Sequence, residues 1–310
     1  MKLVQFYLPG EGNRVGILDG EVILDITEKN RRSVIELMEA AYEAGEGFES
    51  FLQRQWDQAK KTKGFSFRAL NIPPDKSKPH LLIPIFPPEV WGAGVTYKRS
   101  AEMRDEDVTL QQKARSSLYD YVYNNPRPEL FFKATAPRCV GPNDYITIRS
   151  DSKLTAAEPE IAFVIGKNQD ILGYTISNDV SAWDIERENP LYLPQSKIFM
   201  GCCALGPVLV TTSEIDPYNL NMTCRILRNG KLIFEGSVHT SRIKRTFKEL
   251  SDYLHRDNFV PMGTTVSTGT GIMIPNEYAL KEGDYVEITV DGIGTLSNPV
   301  KDRHTGLSLL

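Results

Sequence analysis

Apolar and polar positions change period twice along this chain. Over the first 25 residues short apolar runs at 3–6, 15–18 and 22–25 are broken by Gly, Asn and charged residues, the pattern of a strand meander. In 33–58 the period lengthens: Val34, Leu37, Met38, Ala41 and Tyr42 fall at the i, i+3, i+4, i+7, i+8 spacing of one helical face. Ser33 is placed as the N-cap of that helix, and Glu36 three residues on completes a capping box. A stretch with six prolines, NIPPDKSKPHLLIPIFPPEV, follows. Proline fixes φ and removes a donor, so this stretch reads as an extended connector.

Beyond residue 90 the pattern is different. Residues 101–124 are charged and helix-favouring, in the manner of an active-site helix or lid. Short β-rich runs then recur at 130–133, 145–148, 161–165, 172–177, 206–211, 222–227, 231–236, 265–268 and 285–290. Asn229-Gly230 between two of them is a hairpin signal, and 240–256 is one helix-like interruption. Many short strands with few helices predict an α+β, mostly β fold closed as a barrel or roll. The expected organisation is a small N-terminal α+β domain at 1–75, a Pro-rich connector at 76–89 and a catalytic domain at 90–310.

Composition narrows the function without choosing it. Of the 310 residues 41% are hydrophobic and 25% charged, an ordinary globular balance. A net charge of -4 with scattered basic residues gives no electrostatic footprint for nucleic acid. No stretch approaches the roughly 20 apolar residues of a membrane span. The four cysteines form no CxxC pair, which reads as reduced thiols in a cytoplasmic protein. His80, His239, His255 and His304 are isolated, against a zinc site, and no GxSxG elbow is present.

The chemistry is carried by acids and lysines. In AAEPEIAFVIG, Glu158 and Glu160 stand two apart at a strand, so both carboxylates point to one side. Held together they repel unless a cation lies between them, and a hard divalent ion with oxygen ligands is the natural occupant. The same spacing is equally that of a solvated strand end. Asp179, in GYTISNDVSAWDIERENP, offers a third carboxylate, with Asp184, Glu186 and Glu188 as alternatives that also read as a surface turn. Lys197 lies in an apolar, Gly-rich setting, where its ammonium binds an oxyanion, shuttles a proton or snorkels from a core strand. Glu129 and Lys133 share a strand face with Phe131, as an acid–base pair or a simple ion pair.

Taken in order, VWGAGVTY, RPELFFKATAPRCVGP, EPEIAFVIG, GYTISNDVSAWD, LPQSK, STGTGIM and LKEGDYVEITVDGIGTLSNPV resemble the fumarylacetoacetate hydrolase superfamily. The resemblance implies a mixed β-roll catalytic domain, a homodimer or homotetramer, and Mg2+, with Mn2+ or Ca2+ as alternatives. It implies Glu158, Glu160 and Asp179 as metal ligands and a small 2-oxo acid as substrate. Thr270, Tyr97, Arg99 and Lys133 make up the expected substrate-binding set. Two departures matter. The hydrolytic pattern Tyr-x-x-His-x-x-Glu reads here Tyr97-Lys98-Arg99-Ser100-Ala101-Glu102-Met103, without its histidine and glutamate, and Glu129 stands where relatives often carry a small or apolar residue. Both departures, with ENPLYLPQSKI, resemble a branch that dehydrates 2-keto-3-deoxy-D-arabinonate to 2,5-dioxopentanoate in pentose oxidation. Lys197 as base and Glu129 as acid, or the reverse, are the expected catalytic pair. Hydrolysis of an acylpyruvate or diketo sugar acid, decarboxylation or tautomerisation of oxaloacetate, and a silent binding role are the rival readings.

Overall fold

Alternation and turn chemistry set the strands, and a computed structural model of the chain shows how they assemble; it describes residues 1–60, 64–98 and 119–302. Arg99 and most of the charged 101–124 stretch lie outside the described residues, though 119–124 are helical. Asn229 and Gly230 take the left-handed conformations, φ 54° and 72°, that a two-residue hairpin turn demands, and they join Asn221–Arg228 to Lys231–His239.

The expected single helix over 33–58 is instead two, Val34–Glu43 and Phe48–Ala59. Gly45, at φ +67°, turns the chain after the first, and Gly47 caps the second. Ser33 accepts from the Glu36 amide at 3.3 Å, while Glu36 reaches back to Arg32 N and Ser33 Oγ rather than to the cap amide itself. The 240–256 span is helical in the α sense only over Phe247–Leu254, because Thr246 caps it by accepting from Glu249 N at 3.1 Å. The proline-rich stretch is mostly extended, but His80–Leu81 pairs antiparallel with Phe6 and Tyr7 of the first strand.

Two mixed sheets form the body. The larger runs Phe65–Ser66, Val22–Asp25, Gly12–Asp19, Lys2–Leu8, Cys203–Thr211, Ile171–Asp179, Pro159–Ile165, Thr265–Ser267, Val90–Gly94 and Glu129–Ala134. The N-terminal strands therefore extend the same sheet that carries the carboxylates. The smaller sheet runs Lys231–His239, Asn221–Arg228, Tyr285–Val290, Gly294–Asp302 and Ile146–Ile148.

Every residue of Pro159–Ile165 is buried, so this strand must be covered on both faces. Ile161, Phe163 and Ile165 pack toward the smaller sheet and Phe247–Leu254, with the Phe163 and Phe247 rings stacked at 5.4 Å. Val164 and Leu209 point the other way, against Leu37, Met38, Phe51 and Leu52 of the N-terminal helices. Burial of one such side chain is worth about 1.5–3 kcal/mol. Covered on both faces, the central strands hold their ends rigidly, and the polar residues gather there.

Candidate active site

Strand register brings the carboxylates together. In the antiparallel pair Pro159–Ile165 and Ile171–Asp179, Pro159 faces Asn178 and Glu160 faces Ser177, and the Asp179 amide donates to Glu158 O at 3.0 Å. One oxygen from each of Glu158, Glu160 and Asp179 lies within 4.8 Å of the others, and all three residues are buried. Trp183 Nε1 donates to Glu158 Oε1 at 2.6 Å. Gly269 N donates to Glu160 Oε2 at 2.8 Å. Gly269 has φ +91°, and a Cβ there would lie 2.1 Å from Thr96 Oγ1 and 2.8 Å from Ala93 O, so only glycine brings this amide to Glu160.

Two lysines meet the acids from different sides. Lys197, at the end of the Leu193–Lys197 helix, donates to Glu158 Oε2 at 2.9 Å, Asp179 Oδ2 at 3.1 Å and Ser181 Oγ at 2.7 Å. Lys133 is fully buried. Its ammonium lies 2.5 Å from Asp179 Oδ1 and donates to Val180 O at 2.9 Å and Lys197 O at 2.6 Å. It thus ties the Asp179 side chain to the backbone of the other lysine.

Charge balance explains the proton affinities. Burial, then the Asp179 and Glu158 charges, push Glu160 well above the usual carboxylate range. Burial pushes Asp179 upward too, but Lys133 and Lys197 outweigh it and hold Asp179 below its ordinary value. For Lys133, burial favours the neutral amine, and the Asp179 charge reverses that, so its affinity for the proton is raised. Three carboxylates meet two ammoniums, which pair with Glu158 and Asp179, so the third acid, Glu160, favours its protonated form until a cation compensates it. Hard oxygen donors so close together fit a divalent cation.

Glu129 reaches this site across the sheet. It pairs with Gly94 and Phe131 pairs with Gly92 in the antiparallel ladder. A Cβ on Gly94 would lie 2.0 Å from Glu129 Oε2, and one on Gly92 would lie 2.4 Å from the Phe131 ring. The two glycines are the floor on which the acid and the ring lie. Phe131 in turn sits beneath Lys197, with Nζ 5.3 Å from the ring centre.

Glu158, Glu160, Asp179, Lys197, Glu129 and Phe131 line one cleft together with Thr270 and Glu186. Thr270 is half of a tight turn, its hydroxyl bonded with Ile272 N and O at 3.2 Å. Lys133, expected in the substrate-binding set, is fully buried. It lies behind Asp179, outside the cleft wall, because three acceptors hold its ammonium within the core. Tyr97 is also buried behind the cleft wall; burial and the Glu160 charge raise its phenol's proton affinity. Arg99 lies outside the described residues.

The alternatives to Asp179 divide. Asp184 accepts from Ser152 Oγ and Lys153 N, both at 2.7 Å, and closes a loop. Glu186 is not a surface turn residue: it is 9% exposed, lines the cleft, and accepts from Tyr119 OH at 3.3 Å. Its signal was the i, i+3 spacing from Trp183 in the helix Trp183–Glu188, which puts both on one face. The glycine floor had a signal too, alternate glycines in VWGAG, but no sequence distance says which strand lies opposite.

Known proteins resemble this chain over most of its length. Residues 90–301 match the family model described as fumarylacetoacetate (FAA) hydrolase C-terminal. A 2-dehydro-3-deoxy-D-arabinonate dehydratase of Saccharolobus solfataricus is 52% identical over 221 residues, 71% of this chain and 74% of the relative. A probable 2-keto-3-deoxyxylonate dehydratase of Haloferax volcanii is 43% identical over 222 residues, 71% of this chain and 75% of the relative. A solved structure of 2-keto-3-deoxy-D-arabinonate dehydratase complexed with magnesium and 2,5-dioxopentanoate superposes with a TM-score of 0.78 at 41% identity, covering 98% of this chain and 99% of that one.

Proposed function

The chain belongs to the fumarylacetoacetate (FAA) hydrolase family, and from that premise we propose that it is a magnesium-dependent dehydratase converting 2-keto-3-deoxy-D-arabinonate to 2,5-dioxopentanoate and water. One observation carries the reading. A buried trio of carboxylates faces a lysine and, across the same cleft, a glutamate seated on glycines, in a chain 52% identical to a dehydratase of that substrate.

Glu158, Glu160 and Asp179 would hold the cation, and their oxygen donors suit Mg2+, Mn2+ or Ca2+. When bound, a divalent cation supplies Lewis-acid stabilisation of negative charge on the substrate's 2-oxo group and, by like-charge repulsion, weakens the hold of Lys197 on its proton. Lys197 is then the group that removes a C3 proton, made acidic by the neighbouring ketone. Glu129, on the opposite strand, protonates the C4 hydroxyl as it leaves, and the pair does the work of base and acid in one elimination. Trp183 and Gly269 restrain Glu158 and Glu160, so the carboxylates need no reorganisation during the reaction. Lys133 holds Asp179 and the Lys197 backbone in register from behind. Thr270 contributes a hydroxyl to the cleft wall at which the substrate binds.

Absence of the histidine and glutamate of the hydrolytic pattern, with Ser100 and Met103 in their places, supports elimination over water-driven carbon–carbon cleavage. We place the enzyme in pentose oxidation, in the cytoplasm, as a homodimer or homotetramer. The four free thiols support a reducing compartment, and among the described residues no helix is long and apolar enough to cross a membrane. Purified protein incubated with Mg2+ and 2-keto-3-deoxy-D-arabinonate is expected to form 2,5-dioxopentanoate, followed by NMR. No dioxopentanoate, with an acylpyruvate cleaved to two acids instead, would overturn the proposal.

A further inference from the structure

We propose that Glu186 is a second base, one that takes a proton from C5 of the substrate; the proposal rests on the dehydratase reading above. The product requires such a transfer. Loss of the C3 proton and the C4 hydroxyl leaves a 2-oxo acid conjugated to a C3=C4 double bond, with C5 still a primary alcohol. 2,5-Dioxopentanoate carries an aldehyde at C5. The two compounds have the same composition and differ only in where hydrogen sits. To interconvert them one C5–H bond breaks, its electron pair moves into the conjugated system, and a proton adds at C3, giving a C4=C5 enol. That enol loses its O–H proton as C4 gains one, and the aldehyde forms. C5 is oxidised by two electrons while C3 and C4 are each reduced by one within the one molecule, so no external oxidant takes part.

The transfer needs a base at the end of the substrate remote from the carboxylate trio. The C1 carboxylate and C2 ketone belong beside the trio, which leaves C5 pointing down the cleft. Glu186 stands there. It is shared between the wall of the cleft and that of a larger adjoining cavity lined by Tyr119, Asn125 and Arg127, a cavity that none of the trio touches. Glu129 also lies on the shared wall. Glu186 is buried, as a base whose proton must not exchange at random with bulk water needs to be. It is held from two directions. The Tyr119 hydroxyl donates to Oε1 at 3.3 Å, and one turn earlier on the same helix face Trp183 is anchored through its indole N–H to Glu158. The helix that locks one carboxylate of the trio thus sets the distance from the trio to Glu186. Asp184 and Glu188, its acidic neighbours, are outside the cleft wall.

The test is the Glu186→Gln variant with Mg2+ and substrate carrying two deuteriums at C5, following substrate loss and aldehyde formation separately. A positioned base contributes roughly 100-fold or more, so aldehyde formation is expected to fall by about that factor. Substrate loss should fall much less, and a conjugated 5-hydroxy enone should accumulate, visible in ultraviolet absorbance and by NMR. Wild-type protein should release one C5 deuterium per turnover with a primary isotope effect on aldehyde formation. Glu186→Asp keeps a carboxylate and should recover part of the aldehyde step, which also separates lost chemistry from lost folding. The proposal is overturned if Glu186→Gln forms aldehyde within a few-fold of wild type, or if it slows both steps equally with no enone. If wild type makes no aldehyde at all, the dehydratase reading fails instead.

Discussion

Replacing Lys133 with methionine isolates what the buried ammonium does. Methionine keeps an unbranched stem of similar length in a site with no exposure, so packing changes little. Three groups lose their partner: Asp179 Oδ1, Val180 O and Lys197 O. Removing one member of a buried ion pair costs about 3–5 kcal/mol, because the remaining charge stays buried. Asp179 keeps Lys197 at 3.1 Å, which puts the expected loss near the lower end, about 3 kcal/mol. At roughly 2–4 °C per kcal/mol for a large domain, Tm should fall by about 6–12 °C. Activity should fall as well, because Asp179 and the Lys197 backbone lose their common tie. Thermal unfolding of wild type, Lys133→Met, Asp179→Asn and the double variant closes a cycle, in which the double should cost less than the sum by at least about 1 kcal/mol. A Tm drop under about 2 °C, or strictly additive losses, would refute the argument that Lys133 acts as the counter-charge of Asp179.

Other changes probe other parts of the same design. Glu160→Gln removes the third carboxylate, so magnesium should no longer raise Tm, whereas saturating magnesium at about 100 times Kd should stabilise wild type by about 2.7 kcal/mol; an equal shift in both proteins would count against the trio as the metal site. Gly94→Ala should leave Tm nearly unchanged, because the atoms nearest the intruding methyl belong to the flexible side chain of Glu129, yet it should lower kcat by displacing that carboxylate; unaltered kcat with a shifted Glu129 would remove Glu129 from the chemistry. Burial pushes the Cys224 thiol up to about 12, above an ordinary thiol near 8.5. Below the ordinary value both states keep the proton, and between the two values only the folded state does, so stability should fall as pH rises through that window. Urea midpoints measured on either side of about pH 9 should therefore drop less for Cys224→Val than for wild type, and parallel drops would contradict the assignment.

How much of this was legible in the sequence follows from the range of each interaction. Strand positions, the Asn229-Gly230 hairpin and the Ser33 cap depend on neighbours a few residues away, and they could be read directly. The break between the N-terminal helices was equally local, marked by Gly45 and Gly47 between two apolar sets. The carboxylate spacing of Glu158 and Glu160 pointed to a shared face, since alternation along a strand is a property of the backbone itself. That alone could not separate a metal centre from a solvated strand end. The difference lies in the register that sets Asp179 beside Glu158 and in the two covering layers that exclude water, and both are made by residues far apart in the chain. Lys133 shows the limit most plainly. Its strand position suggested a partner for Glu129, but a register shift between Val90 and Trp91 and the path of residues 179–197 turn it into the core beneath Asp179. The chain's local pattern determined which side chains share a face; only the packed sheet decided which face is dry and which charges meet, because both depend on strands far apart in the chain.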